Sequence, residues 1–228
     1  MSKKILIVCA HPDDEVLGCG ATCAKLAAEG HEIYTLILGE GKTSRDVDNS
    51  EEDIEILKAE VMLANRTIGV KEVFTANFAD NRFDGVDILD IIKRIEKIID
   101  YIKPDTIFTH HYGDMNIDHQ ITHQAVLTAT RPMVGQCVKE IYTFEIASST
   151  EWNSFSKENR FIPNTFVDVS STIDIKVNAM AAYKSELCKY PHPRSLQFIK
   201  EMASYNGVRV GLEYSENFQL IRSVAKEF

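Results

Sequence analysis

Short apolar runs alternate with segments of helical periodicity along the first half of the chain. Residues 4–10 form a continuous apolar run, which is typical of a strand that a parallel sheet buries on both faces. Isoleucines three and four positions apart predict an amphipathic helix over residues 86–102. The same criteria predict strands at 32–38, 73–75 and 106–109, and helices at 15–29 and 50–68. This alternation predicts an α/β fold with a Rossmann-like, mostly parallel sheet and helices on both faces.

The second half of the chain is less regular. Its pattern predicts helices at 118–130, 173–186 and 195–204, and strands at 138–145 and 165–169. The polar segment 39–50 is predicted to be a surface loop, and Ser50 with Asp53 forms a capping box that opens the next helix. We find no repeat, low-complexity tract or linker, so residues 1–228 are predicted to form a single domain.

The net charge of the chain argues against two classes of binding partner. The 228 residues include 25 Lys and Arg against 34 Asp and Glu, a formal charge of −9. An acidic chain is a poor binder of nucleic acid or anionic lipid, because both carry negative charge. The apolar run at the N-terminus ends at Ala10, too short for a membrane span or a signal peptide. We therefore expect a cytoplasmic protein that acts on a small-molecule substrate, binds no nucleic acid and has no membrane span. Whether the chain forms a homo-oligomer stays open.

Acidic residues are crowded at the junction of the first strand and the first helix. The segment Ala10-His11-Pro12-Asp13-Asp14-Glu15 places a histidine and three acids in five positions. Helix capping explains the acids, because negative charge is stabilised at a helix N-terminus. Capping does not explain His11 and Pro12. A metal site does, since His11 and Asp14 can aim a nitrogen and a carboxylate at one point, which leaves Asp13 free to act on a water molecule.

A second polar cluster, residues 109–123, follows the fourth predicted strand. Loops after the first and fourth strands of a parallel sheet emerge at the same edge, so His119 can supply a third ligand. Three protein ligands are the usual number in a catalytic zinc site. Five of the seven histidines lie in these two segments, and the roles of His110 and His111 stay open.

Together, these motifs resemble the LmbE/PIG-L-like family of zinc-dependent N-deacetylases. The resemblance rests on the His-Pro-Asp-Asp-Glu motif after an N-terminal strand and on the later Asp118-His119 pair. It implies the LmbE-like fold and removal of an N-acyl group, most simply acetyl, from an amino-sugar derivative. It also implies that His11, Asp14 and His119 bind Zn²⁺ and that Asp13 is the general base.

One motif departs from the family pattern. Well-known members have His-x-Asp-His where this chain has Asn116-Ile117-Asp118-His119, and their first histidine helps to stabilise the oxyanion. The Asn form resembles a bacterial subgroup that also carries His-Pro-Arg-Ser, present here at 192–195. The oxyanion donor is thus predicted to be Asn116 or His192. Asp118 is predicted to orient an imidazole that binds the metal.

Other candidates have equally plausible structural roles. His123, one helical turn after His119, is predicted to support the site by packing beside it and not to bind the metal. Arg82 and Arg194 can bind hydroxyl, carboxylate or phosphate groups of a substrate, or form ordinary salt bridges. Trp152 can stack on a sugar or anchor its loop.

Two alternative functions stay open at this level. The same metal chemistry could hydrolyse another small amide or a thiol conjugate, because the substrate is selected by loops. The other alternative is a non-catalytic module that binds a nucleotide or sugar. Against it, no Gly-x-Gly-x-x-Gly motif follows the first strand; Gly18 and Gly20 lie inside the predicted helix. A site of two histidines and one aspartate also suits another divalent metal, such as iron, cobalt or manganese.

Overall fold

The computed structural model describes residues 2–41, 51–153 and 155–225. Within these ranges the strands are β1 Lys4–Cys9, β2 Glu32–Gly39, β3 Glu72–Phe78, β4 Thr106–His110, β5 Glu140–Phe144, β6 Thr165–Asp168 and β7 Ser215–Ser223. The α-helices are α1 Asp14–Ala28, α2 Glu51–Thr67, α3 Ile88–Ile102, α4 Ile117–Ala129, α5 Ile173–Met180 and α6 Leu196–Val208. None of the helices in these ranges combines the length and apolar character needed to cross a membrane.

The strands form one sheet in the order β3-β2-β1-β4-β5-β7-β6. Strands β3, β2, β1, β4 and β5 run parallel, whereas β7 is antiparallel to both β5 and β6. The predicted α/β fold with a mostly parallel sheet is therefore confirmed. The order of strands reverses at β1, which pairs with β2 on one side and β4 on the other. In open α/β sheets, ligands bind in the crevice at the carboxyl ends of such strands.

Side-chain alternation along β1 divides the interior into two cores. Ile5, Ile7 and Cys9 join one cluster with residues of α1, α2 and α5. Leu6 and Val8 point to the opposite face and join a cluster with residues of α3 and α4. Because both faces of the sheet are covered, β1 is buried on both sides, which is why its sequence is continuously apolar from Ile5 to Cys9.

Helix α1 approaches the sheet closely at Gly18. A Cβ atom at this position would lie 2.5 Å from Cδ2 of Phe144 on β5, so only glycine fits between the helix and the strand. Gly18 thus has a packing role, and no phosphate-binding loop is needed to explain it.

The structure corrects the prediction for the second half in two places. The helix predicted over 173–186 ends at Met180, and the chain then turns so that the fully buried Tyr183 reaches the interior. Strand β7 was not predicted, because it begins with the buried polar residues 215–217 and so lacks the apolar alternation of a strand. Residues 42–50, most of the predicted loop and including Ser50 of the predicted capping box, lie outside the described residues.

Candidate active site

Three predicted ligands meet at the carboxyl ends of β1 and β4. His11 and Asp14 lie in the turn between β1 and α1, and His119 lies in the first turn of α4. Nδ1 of His11 is 3.2 Å from Nε2 of His119 and 3.6 Å from Oδ2 of Asp14. Nε2 of His119 is 3.4 Å from the same oxygen of Asp14. The structure therefore brings together the three residues that the sequence predicted as ligands.

The dimensions of this triangle fit a small divalent ion. Ligand atoms at about 2.0–2.1 Å from a tetrahedral zinc ion are separated from one another by about 3.3–3.4 Å. The observed separations of 3.2, 3.4 and 3.6 Å bracket that value. Asp14 is fully buried, and its Oδ1 has no hydrogen-bond partner among the described residues. Two nitrogens and one oxygen are also donor atoms that zinc accepts.

Each of the two imidazoles has a carboxylate at its far nitrogen. Nε2 of His11 lies 3.0 Å from Oδ2 of Asp118 and 2.7 Å from Oδ1 of Asp80. Nδ1 of His119 lies 3.2 Å from Oδ2 of Asp114. In metal sites this arrangement fixes the ring orientation and leaves the other nitrogen free for the ion. Asp118 thus contacts His11, and its role in orienting a metal-binding imidazole stays a prediction.

Asp114 is itself held in place by three hydrogen bonds. Its carboxylate accepts hydrogen bonds from the hydroxyls of Ser149 and Thr150 and, at 2.8 Å, from the backbone N–H of Asn116. Burial raises the pKa of Asp114, but the contact with His119 and the two hydroxyls outweighs burial and lowers the pKa to about 2. Asp114 therefore stays ionised and keeps His119 oriented.

The cluster attracts positive charge. Burial opposes ionisation of Asp14, but His119 and the hydrogen bond with His11 hold its pKa well below its usual range. Burial likewise lowers the pKa of His119, yet Asp14 and Asp114 outweigh burial and raise it to about 9. An electrostatic environment that favours a cation at this point is what a metal site requires.

His110 packs against His119, one of the three predicted ligands. Its ring stacks on that of His119 with the centroids 4.0 Å apart, and its Nε2 accepts a hydrogen bond of 2.9 Å from the backbone N–H of Ala10. Burial and the neighbouring His119 lower the pKa of His110 well below its usual range. His110 is therefore neutral and packs the site. His111 is also buried, and its Nε2 lies 2.9 Å from the carbonyl oxygen of Asn159.

Asp13 lies between two of the ligands in the sequence and takes an unusual backbone conformation. Its φ of 92° and ψ of −27° are left-handed, a region that residues other than glycine rarely adopt. The side chain is 1 % exposed. Burial outweighs the positive charge of Arg194, whose Nη1 lies 3.3 Å away, and raises the pKa of Asp13 well above its usual range. Arg194 also donates to the hydroxyl of Ser148 at 3.0 Å.

The remaining predicted residues lie around this centre in different roles. Asn116 caps α4: its Oδ1 accepts from the backbone N–H of Asp118, and its amide donates to Asn81. Nδ1 of His192 accepts from the backbone N–H of Arg194 at 3.1 Å, which leaves the ring proton on Nε2.

Three further candidates have no contact with the ligand atoms among the interactions of the described residues. His123 is buried, and its Nδ1 lies 2.9 Å from the carbonyl oxygen of His110. Arg82 is exposed and immediately precedes Phe83, whose N–H donates to Asp118. Trp152 is 46 % exposed in a short 3₁₀ turn. Their predicted roles stay predictions.

Replacing Asp114 with Asn is expected to weaken metal binding by about 10- to 100-fold, the usual effect of losing a partner of a metal-binding histidine. The amide can present its NH₂ to His119 and no longer fixes the ring. Metal affinity is measured by competition with a chromogenic chelator. The matched control is Asp105→Asn, since Asp105 accepts a backbone N–H from Lys4 at the opposite edge of the sheet. Equal affinity in both variants would remove Asp114 from the site.

Comparisons with known proteins agree with the predicted class. Residues 6–130, more than half of the chain, match the family described as PIG-L, GlcNAc-PI de-N-acetylase. The chain is 31 % identical over 191 residues to the uncharacterized deacetylase YaiS of Escherichia coli, covering 80 % of this chain and 91 % of that protein. The fold and the sequence together thus define a hydrolytic N-deacetylase. The chain belongs to the PIG-L family.

Two further proteins are similar over most of their length. A probable N-acetyl-alpha-D-glucosaminyl L-malate deacetylase 2 of Bacillus cereus is 26 % identical, with 82 % of this chain and 84 % of that protein covered. The structure of N,N'-diacetylchitobiose deacetylase from Pyrococcus horikoshii matches with a TM-score of 0.78 at 21 % identity, covering 97 % of this chain and 84 % of that one. The LmbE-like fold expected from the resemblance is therefore confirmed. Assignment to the subgroup marked by Asn116 stays a prediction.

Proposed function

We propose that residues 1–228 act as one deacetylase domain, which uses a divalent metal ion, zinc, to remove an N-acetyl group from an amino-sugar derivative. The observation that carries this proposal is the triangle of ligand atoms from His11, Asp14 and His119, with separations of 3.2 to 3.6 Å. A zinc ion, when bound, supplies Lewis-acid chemistry by making water more acidic and by stabilising negative charge on an amide oxygen.

Asp13 is the proposed general base. Its neighbour in the sequence, Asp14, is one of the ligands, so the carboxylate of Asp13 lies beside the cluster and can take a proton from an attacking water. The same carboxyl then delivers the proton to the nitrogen of the departing amine. Arg194, 3.3 Å away, places a positive charge beside Asp13 and acts against the increase in its pKa that burial causes.

The oxyanion donor is proposed to be His192 or Asn116. The tautomer of His192 supports it, because Nδ1 accepts from Arg194 and the N–H at Nε2 is left to donate. The amide of Asn116 already donates to Asn81, so it must exchange that bond to serve a substrate. The N–H that His192 has left to donate supports it as the first candidate.

The amino-sugar substrate rests on the relatives. The protein from Bacillus cereus is named for an N-acetylglucosaminyl malate, and the one from Pyrococcus horikoshii for diacetylchitobiose. Both names contain an N-acetylated amino sugar. Arg82, which is exposed and precedes the residue whose N–H donates to Asp118, is proposed to contact the substrate.

The decisive experiment is a screen for release of a primary amine. N-acetylated sugars, sugar nucleotides and unrelated small amides or thiol conjugates are incubated with the metal-loaded protein. Amine release from the sugars alone supports the proposal, whereas release only from the other compounds supports the alternative amidase. Elemental analysis separates both from a non-catalytic nucleotide- or sugar-binding module, for which we expect no stoichiometric metal.

His192→Ala is expected to lower kcat by roughly a hundredfold, because one oxyanion donor contributes about 3 kcal/mol to the stability of the transition state. Metal content is expected to stay at the wild-type level. The matched control is His31→Ala, since Nδ1 of His31 also accepts a backbone N–H, from Lys3, on the far side of the sheet. A loss below about threefold in His192→Ala would leave Asn116 as the donor.

A cytoplasmic location is part of the proposal. It is supported by the five cysteines, all of which are free thiols, the state that a reducing compartment preserves. Self-association of the chain also stays a prediction, and light scattering measures it.

A further inference from the structure

The carboxylate of Glu15 adjoins the catalytic turn, but the proposed reaction does not use it. Glu15 is fully buried. Three donors from other residues converge on its carboxylate: the backbone N–H of Asp13 at 3.1 Å on Oε2, and the amide of Asn65 at 2.9 Å and the hydroxyl of Tyr183 on Oε1. Because all three neighbours donate, the ionised carboxylate satisfies all of them as an acceptor.

One of these donors belongs to the strained residue of the site. Asp13 has a φ of 92°, and its carbonyl oxygen already starts α1 by accepting from the N–H groups of Val16 and Leu17 at 3.0 and 2.9 Å. Its own N–H is buried at the turn and bonds to Glu15. A backbone conformation that is rare outside glycine persists only when surrounding contacts hold it. The bond to Glu15 is such a contact.

Glu15 is in turn fixed by distant parts of the fold. Asn65 lies on α2, and its Oδ1 accepts from the hydroxyl of Thr35 on β2 at 2.8 Å. Tyr183, which follows α5, is also fully buried. The carboxylate is thus held by residues from two distant parts of the chain, α2 and the segment after α5, and it cannot shift without breaking buried hydrogen bonds.

We infer that Glu15 is a positioning residue: with Asn65 and Tyr183 it holds the backbone of Asp13 in the left-handed turn that aims the Asp13 carboxylate at the reaction centre. The inference rests on the proposed function, in which Asp13 is the general base. A displacement of about 1 Å in a catalytic group can lower the rate by about a hundredfold. The contact between Glu15 and Asp13 therefore affects kcat without touching substrate or metal.

Glu15→Gln tests this bond directly. The glutamine has one oxygen and one NH₂ group, but donors face both sides of the site. Its oxygen is expected to face the two donors, Asn65 and Tyr183. Its NH₂ group then faces the N–H of Asp13, and two donors cannot form a hydrogen bond with each other. The variant therefore keeps the shape of Glu15 and loses the bond to Asp13.

Asn65→Asp, added to Glu15→Gln, is expected to restore the bond. The carboxylate introduced on α2 would accept from the NH₂ of the introduced glutamine while still accepting from Thr35, so the glutamine oxygen would turn back to the N–H of Asp13. The primary readout is hydrogen exchange of the Asp13 amide, resolved by NMR. We expect exchange about tenfold faster in Glu15→Gln and a return to within about threefold of wild type in the double variant.

Activity supplies the second readout. We expect kcat to fall about 10- to 100-fold in Glu15→Gln, with KM and metal content close to wild type, and to recover in the double variant. The control is Glu216→Gln: Glu216 is buried and accepts from two backbone N–H groups of the same helix, those of Ala21 and Thr22. It is expected to leave Asp13 exchange and kcat unchanged.

Unchanged exchange at Asp13 in Glu15→Gln, or faster exchange that the second substitution does not reverse, would overturn the inference. If Glu15→Gln does not fold, Tyr183→Phe takes its place; it removes one donor and is expected to speed Asp13 exchange in the same direction, and unchanged exchange would again be contradictory. Exchange is measured without substrate. A wild-type protein that releases no amine would therefore contradict the proposed function. The exchange measurement would still test whether Glu15 holds the backbone of Asp13.

Discussion

Asp13→Asn is expected to retain its metal ion and lose activity by about a hundredfold to ten-thousandfold, the range over which general acid–base groups contribute to catalysis. The amide is nearly isosteric with the carboxylate, so the turn and the three ligands survive. It cannot take a proton from water at neutral pH, so the step that Asp13 performs is lost. Steady-state kinetics and elemental analysis on the same preparation check both parts.

The control for Asp13→Asn is the same substitution at a helix cap. Asp87 caps α3 by accepting from the backbone N–H of Leu89, and Asn is an equally good cap. Asp87→Asn is therefore expected to match wild type in rate and metal content. Turnover near the wild-type level in Asp13→Asn would remove Asp13 from the mechanism.

His119→Ala is expected to abolish stoichiometric metal binding. The substitution removes one of the three proposed ligands, and its effect should exceed the roughly 10- to 100-fold weakening caused by losing only a partner of a ligand. Only His11 and Asp14 then remain of the three residues whose ligand atoms form the triangle. Metal content after dialysis and affinity by chelator competition are the measurements.

His123→Ala provides the comparison on the same helix. His123 lies one turn beyond His119, and its Nδ1 faces the carbonyl oxygen of His110. We expect this variant to retain its metal ion. The reverse result, metal lost in His123→Ala and kept in His119→Ala, would exchange the two assignments.

The sequence was sufficient to predict which residues come together at the candidate site where they are local or follow from parallel topology. His11, Asp13 and Asp14 belong to one turn, and a buried strand before them indicates where that turn lies. His119 could be added because strands β1 and β4 are neighbours and end at the same edge. The class of protein followed from the same two motifs, and the family match bears it out.

Other parts of the site depend on contacts that periodicity does not reveal. Asp114 lies in the predicted cluster 109–123, but its role depends on how the loop before α4 curls back to Nδ1 of His119. The available signal for Asp114 was that a carboxylate lies in the same polar cluster as the predicted ligand His119.

Glu15 is a clearer example of a residue whose contacts cannot be predicted from the sequence pattern. In sequence it resembles an ordinary acid in the first turn of a helix, where negative charge is common. Its partners Asn65 and Tyr183 lie 50 and 168 residues away along the chain. Strand β7 escaped prediction for a related reason, since its first three residues are polar and become buried only through tertiary contacts.

Titration of the metal-free protein with zinc, while amine release from an N-acetylated amino sugar is followed, tests the central claim most directly. We predict no release before zinc is added, a linear rise, and a break at one ion per chain, because His11, Asp14 and His119 form a single site. Release that does not depend on zinc or another divalent metal would contradict this mechanism, as would a protein that binds one ion per chain and releases no amine from any acetylated sugar.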